Sequence, residues 1–340
     1  MVKAEFNKTV RLIVEEMAGV HDGEEVLITV DARTPLDIAE AFMNAAYAVG
    51  AHPSIVTIPM PPLSGKGAYP ITNPSPSVSS AVENTDILFD FAICYAPCIL
   101  KLLSSGKRCC VLGPGEDLDE ILVRTVGSVD LQRLKGEAQR LAEIWTKASS
   151  AKITSENGSG VQMDIRDAYG IAWDGFVLPE SKERWVPLPP AVPGIVDYVP
   201  AEGKIVVDGF LEFNGDWHIP RQTVVVYIKN GKVSKIEGGS DAKDLQKYLS
   251  SFNDPSVYLG PVHMNIGTNP NAKLTPTQEL ERYRGSLSIA FGDNSFLSQL
   301  LPRPKMREVV QSPTHWDVQI LKPTLFLDEE LVIENGEIKL

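Results

Sequence analysis

The period of the apolar residues changes once along this chain, and that change constrains the fold more than any other feature. From EEVLITVD (24–31) to KRCCVLG (107–113), short β-rich apolar runs alternate with helical patterns. TPLDIAEAFMNAAYAVG has helical spacing, with Thr34 placed as N-cap and Gly50 as the stop. HPSIVTIP reads as a strand, and ILFDFAIC and KRCCVLG read as strands with the helix PCILKLLSSG between them. Parallel strands need long crossovers, which helices supply, so this region is expected to be an α/β unit with a parallel sheet. PMPPLSGKGAYPITNPSPSVSS, dense in Pro, Ser and Gly, reads as a long loop. DLQRLKGEAQRLAEIWTKAS is an amphipathic helix and a natural divider. After it come strands almost without interruption: KITSEN, VQMDIRD, GKIVVDGFLEF, QTVVVYIKNGKVSKIEGG and the C-terminal run, with turn residues such as KNG and ENG between them. The exception is the helix SDAKDLQKYLSSF. The expected organisation is an α/β domain over 1–128, a linking helix over 129–150 and a larger β-rich (α+β) domain over 151–340.

Composition removes several classes of function. A chain of 340 residues can bury two cores. Its net charge of −12, with no basic stripe, excludes a binder of nucleic-acid phosphates. No apolar run approaches the roughly 20 residues that span a bilayer. MVKAEFNKTVRLIVEEM carries acids in an amphipathic spacing and does not read as a signal peptide. Cys94, Cys98, Cys109 and Cys110 lie in apolar runs and are read as reduced thiols of a cytoplasmic protein; CYAPC lacks the second pair that tetrahedral zinc requires. GPGED (113–117) is too short for a dinucleotide fingerprint.

The candidate chemistry lies with two of the five histidines. His21 sits at a turn, His52 opens a strand, and His218 reads as structural or as lining a pocket. His263 and His315 instead fall in GPVHMNIGTNPNA and SPTHWDV, stretches crowded with residues that fix backbone geometry. On a strand, residues two apart share a face, so His315 and Asp317 project together and Trp316 points away. An imidazole beside a carboxylate offers two metal ligands. A further histidine would complete the two-His, one-carboxylate triad that leaves coordination positions open on non-haem Fe(II). Spacing alone is a weak signal and favours a surface accident.

GPVHMNIGTNPNA, GSLSIAFGDN and THWDVQILKPTLFLDEELVIENGEI together resemble the aminopeptidase T family of metallopeptidases. The resemblance is firm from about residue 190 and weaker before it. It implies an α/β part followed by a β-rich part. The peptidases hold two metal ions with glutamates, histidines and an aspartate. Of that set this chain keeps His315 and Asp317, but has Ile195 and His263 where the family has Glu, and Ser288 where it has His. The exchange of Glu for His263 makes the remaining set resemble the iron triad of the 2,5-dihydroxypyridine 5,6-dioxygenases, relatives of these peptidases. LQKYLSSFNDPSVYLGPVHMNIG is similar to their stretch around the first ligand. That family's pocket arginine falls near Glu281, with Arg282 and Arg284 close by, and its proton-moving histidine falls in AICYAPC, where Tyr95 is the nearest candidate.

The resemblance therefore implies an Fe(II)-dependent, extradiol-like ring-cleaving dioxygenase. His263, His315 and Asp317 are the expected metal ligands, Tyr95 the acid/base group, and Arg284 and Ser288 pocket residues. Its partners would be a hydroxylated pyridine or related aromatic acid and O2, with no nucleic acid and no membrane, in a homo-oligomer of two or more copies. Two alternatives stay open: a divergent metallo-aminopeptidase using zinc, cobalt or manganese, and a non-catalytic binding protein on the same fold.

Overall fold

The computed structural model describes residues 3–62, 68–301 and 308–340. The chain forms two compact units, residues 1–131 with 173–191 and residues 132–172 with 192–340.

The first unit is built on five parallel strands in the spatial order His52–Thr57, Glu25–Val30, Ile87–Asp90, Arg108–Val111, Trp185–Pro187. The inner strands Ile87–Asp90 and Arg108–Val111 are buried throughout, as near-continuous apolar runs in a covered parallel sheet should be. Helices Leu36–Ala48 and Leu118–Thr125 contribute Ile38, Phe42, Leu118 and Leu122 to the same core. Two local expectations are corrected. Helix Leu36–Ala48 has no side-chain cap, and Thr34 Oγ1 instead accepts from the Gly115 amide at 3.3 Å. Helix Pro76–Asn84 begins inside the stretch read as one long loop, started by the Ser75 side chain as N-cap and Pro76 in the first turn. Residues 63–67 of that stretch lie outside the described residues.

The second unit contains helix Leu131–Lys147 from Gln132 onward, an eight-stranded sheet and a seven-stranded sheet. Residues of both sheets share one core, closed by Leu141 and Trp145 of that helix and by Leu245 and Leu249 of helix Ser240–Ser251. GKIVVDGFLEF, read as one strand region, splits: Ala201–Val207 joins the larger sheet and Leu211–Phe213 the smaller. The expected linear division at 128 and 150 also differs from the structure, because residues 173–191 return to the first unit and supply its fifth strand.

Candidate metal centre

The seven-stranded sheet separates an apolar face from a polar one. Ile195, Leu211, Phe213, Met264, Ile289, Phe291, Trp316 and Val318 belong to the core. Their strand neighbours turn the other way and line up by register. One row runs Val196, His263, Ala290, Asp317, Glu212. The next runs Gly194, Asn265, Ser288, Gln319, and on the other side Gly292 opposes His315. Small Ala290 sits between His263 and Asp317, so their longer side chains converge above it. Ligand atoms of His263, His315 and Asp317 all lie within 4.8 Å of one another, and all three residues are buried. The strand period thus does what the sequence led us to expect: His315 and Asp317 share a face, and Trp316 goes to the core, where it stacks on Phe291.

The GDN motif orients one of these imidazoles. Gly292 has φ +87°, a conformation that turns the backbone after the strand and that side chains disfavour. The turn presents the Asp293 carbonyl, which accepts from His315 Nδ1 at 2.6 Å. That bond fixes the tautomer and aims Nε2 at Asp317 Oδ2, 3.3 Å away. The Asp293 carboxylate in turn accepts from the backbone amides of Ser295 and Ser312.

Burial and mutual charge set the protonation states. Burial pushes His263 down to about 3, assisted by His315 and Arg282 and opposed by Asp317, so this imidazole is neutral and able to ligate. Burial also works against a charge on His315. The Asp317 carboxylate and the Asp293 carbonyl outweigh it and push His315 up to about 9. Asp317 is held low against its own burial, chiefly by His315, then by His263 and Arg282. His315 and Asp317 thus stabilise each other's charge as a buried pair. Asp317 Oδ1 is buried without a hydrogen-bond partner among the described residues. Two imidazoles and a carboxylate with an unused oxygen fit a divalent metal ion with coordination positions left over.

The remaining expected site residues are placed as follows. Ser288 is 1% exposed on the polar face, and its Oγ has no hydrogen-bond partner among the described residues. Arg284 is committed elsewhere: its guanidinium donates to Glu137 Oε1 and to the Thr268 carbonyl, each at 2.7 Å. Its neighbour Arg282 is the deeply buried one of the two, paired with Glu281. Ile195 lies opposite Met264 on the core face, so the residue of its strand that lines up with His263 is Val196. Tyr95 belongs to the first unit, where its ring packs 6.2 Å from that of Trp185. Sequence reasoning missed Glu212 and Asn265. Burial, and then the Asp317 charge, hold the Glu212 carboxyl well above its usual range. The available signal was an acid between two apolar residues in LEF, which on a strand places it opposite the core.

Comparison with known proteins follows this geometry. The family described as 2,5-dihydroxypyridine 5,6-dioxygenase matches residues 9–340. The 2,5-dihydroxypyridine 5,6-dioxygenase of Pseudomonas putida KT2440 is 26% identical over 270 residues, covering 76% of this chain and 72% of that protein. Among solved structures, the 2,5-dihydroxypyridine dioxygenase of Pseudomonas putida KT2440 is similar with a TM-score of 0.80 at 20% identity, over 100% of this chain and 98% of that one. AmpT from Thermus thermophilus is similar with a TM-score of 0.67 at 11% identity, over 100% of both chains. These two likenesses bear out the expected fold, α/β followed by a β-rich part.

Proposed function

The chain belongs to the 2,5-dihydroxypyridine 5,6-dioxygenase family and is a ring-cleaving dioxygenase, and from that premise we propose that it opens a hydroxylated pyridine ring using one Fe(II) held by His263, His315 and Asp317. The first substrate to try is 2,5-dihydroxypyridine; a carboxylated or otherwise substituted analogue is the second. The observation that carries the reading is the convergence of these three buried side chains within 4.8 Å on one sheet face. Bound there, Fe(II) would supply a redox-active centre able to take up substrate and O2. The protein's own residues do the rest. His315 is oriented by the Asp293 carbonyl, and Ala290 leaves space between the ligands. Ser288 offers a buried hydroxyl to the ring, and Arg282 rather than Arg284 supplies nearby positive charge. Tyr95 moves a substrate proton.

Among the described residues no helix is long and apolar enough to cross a membrane. We place the enzyme in the cytoplasm, where its four buried thiols, none in a disulfide, stay reduced, and we take it to be a homo-oligomer.

The test is metal analysis and oxygen uptake on protein purified without oxygen. We expect about one iron per chain, and oxygen consumed in step with loss of the ring's absorbance. His263→Ala, His315→Ala and Asp317→Ala should each remove most iron and activity. Two tightly held zinc ions per chain, with release of N-terminal residues from aminoacyl substrates that stops in Asp317→Ala, would replace this reading with a peptidase.

A further inference from the structure

Beside the three ligands, the same sheet face carries a second set of groups. Asn265 lies two residues beyond His263 on one strand, so the two side chains share a face roughly 7 Å apart along it. It is 1% exposed. Its Nδ2 donates to Glu281 Oε1 at 3.2 Å. Glu281 also accepts from Arg282 through Oε2, so both of its carboxyl oxygens face donors, Oε1 the Asn265 amide and Oε2 the guanidinium. The amide of Asn265 thus has one sense: nitrogen toward Glu281, oxygen away from it. That oxygen, Oδ1, is buried and has no hydrogen-bond partner among the described residues. Directly across the strand pair, Ser288 Oγ is buried in the same condition. Gly194, the register neighbour on Asn265's other side, lets the two strands approach closely, because a Cβ there would lie 1.8 Å from the Met264 carbonyl oxygen.

A buried acceptor left unsatisfied is costly, and a polar group held that way by its neighbours is set up to be satisfied by something that arrives. We propose that Asn265 is a specificity-determining residue whose Oδ1, turned outward by the Glu281–Arg282 pair, accepts a hydrogen bond from an O–H or ring N–H of the bound heteroaromatic compound. This rests on the ring-cleavage reading above and names the feature of the substrate that the site selects. A site built to accept a hydrogen bond rejects an analogue lacking the donor, because its own buried oxygen is then left unpaired. Glu281 and Arg282 act through Asn265 as positioning residues.

The test is binding rather than turnover. Fe(II)-loaded protein under argon is titrated calorimetrically with 2,5-dihydroxypyridine and with each of its two mono-O-methyl ethers. Wild type should bind one ether at least about tenfold more weakly than the parent, the loss expected when a buried acceptor goes unpaired. Asn265→Leu should bind the parent about tenfold more weakly than wild type does, while its affinity for that ether and its iron content stay within about twofold. Glu281→Gln gives an independent arm, since a glutamine can donate to Oδ1 and release the fixed sense of the amide; it too should lose discrimination with iron retained. If Asn265→Leu fails to fold or to hold iron, this second variant decides. Wild-type discrimination in both variants, or equal weakening toward parent and ethers, overturns the proposal while leaving ring cleavage intact. A wild type that neither binds nor opens the parent ring overturns the substrate reading and this subsite with it.

Discussion

Gly292 is where a single residue type decides whether His315 can serve as a ligand. Its φ of +87° costs a glycine little, and a Cβ built on it would lie 2.2 Å from the Thr314 carbonyl oxygen. Gly292→Ala should therefore cost at least about 1–2 kcal/mol for the left-handed backbone, before any clash is counted. It should also lower metal affinity, because the Asp293 carbonyl that orients His315 moves with the turn. Urea unfolding and iron content of the purified variant measure the two effects; an alanine variant with full stability and full iron would show that the turn does not control the imidazole. At this scale the sequence was partly legible. His-x-Asp needs only the two-residue strand period, so its shared face could be read from THWDV. The same period turns Glu212 away from the core in LEF and puts Asn265 on His263's face, but it does not bring either beside His315 and Asp317. Each reaches the site through cross-strand register, Glu212 against Asp317 and Asn265 against Ser288, and register between segments distant in sequence leaves no local periodicity.

The strand Arg108–Val111 shows what an element can settle from its apolar pattern. KRCCVLG was read as an apolar strand holding reduced thiols, and both Cys109 and Cys110 are fully buried with no disulfide. Burial pushes the Cys110 thiol from 9.0 up to about 12 and Cys98 up to about 11, while Cys109 is raised well above 9.0 by burial and by nearby Asp90. The sign follows. The folded values lie above the unfolded one, so the stability these thiols contribute is fully present below about pH 9. It is lost as pH rises through about 11 and 12. Native protein at pH 8 should leave Cys98, Cys109 and Cys110 unreactive toward a disulfide reagent, whereas unfolded protein exposes all four cysteines. Stability should fall from pH 9 upward, and the fall should be shallower in a Cys109→Ala/Cys110→Ala variant; an unchanged slope would assign it to other groups. Elements with less pattern were less legible. Helix Pro76–Asn84 hides in a Pro- and Ser-rich stretch because Ser75 and Pro76, which look like loop residues, are good starters of a helix. Trp185–Pro187 is three residues long, too short to show a period.

That short strand governs the largest difference between expectation and structure. The change from alternating to all-strand pattern correctly marked two kinds of architecture, but it implied a single crossing from one to the other. The chain instead leaves the first unit near residue 131, returns at Trp173, and leaves again after Ala191. The return is fixed by parallel pairing of Trp185–Pro187 with Cys109–Val111, a contact that neither segment announces in its own composition. The role proposed for Tyr95 can be tested. All three proposed ligands belong to the second unit and Tyr95 to the first. Tyr95 follows the carboxyl end of strand Ile87–Asp90, the end at which open parallel sheets carry their functional loops. If it moves a substrate proton, Tyr95→Phe should lower turnover by about 10²-fold or more, while iron per chain stays at the wild-type level because no ligand has been touched. Oxygen uptake and metal analysis on the same preparation separate the two quantities. Full turnover in Tyr95→Phe would remove the proton-transfer role. Loss of iron in step with loss of turnover would also remove that role, and the acid/base group would then have to be sought among the buried carboxyls of the second unit, with Glu212 first.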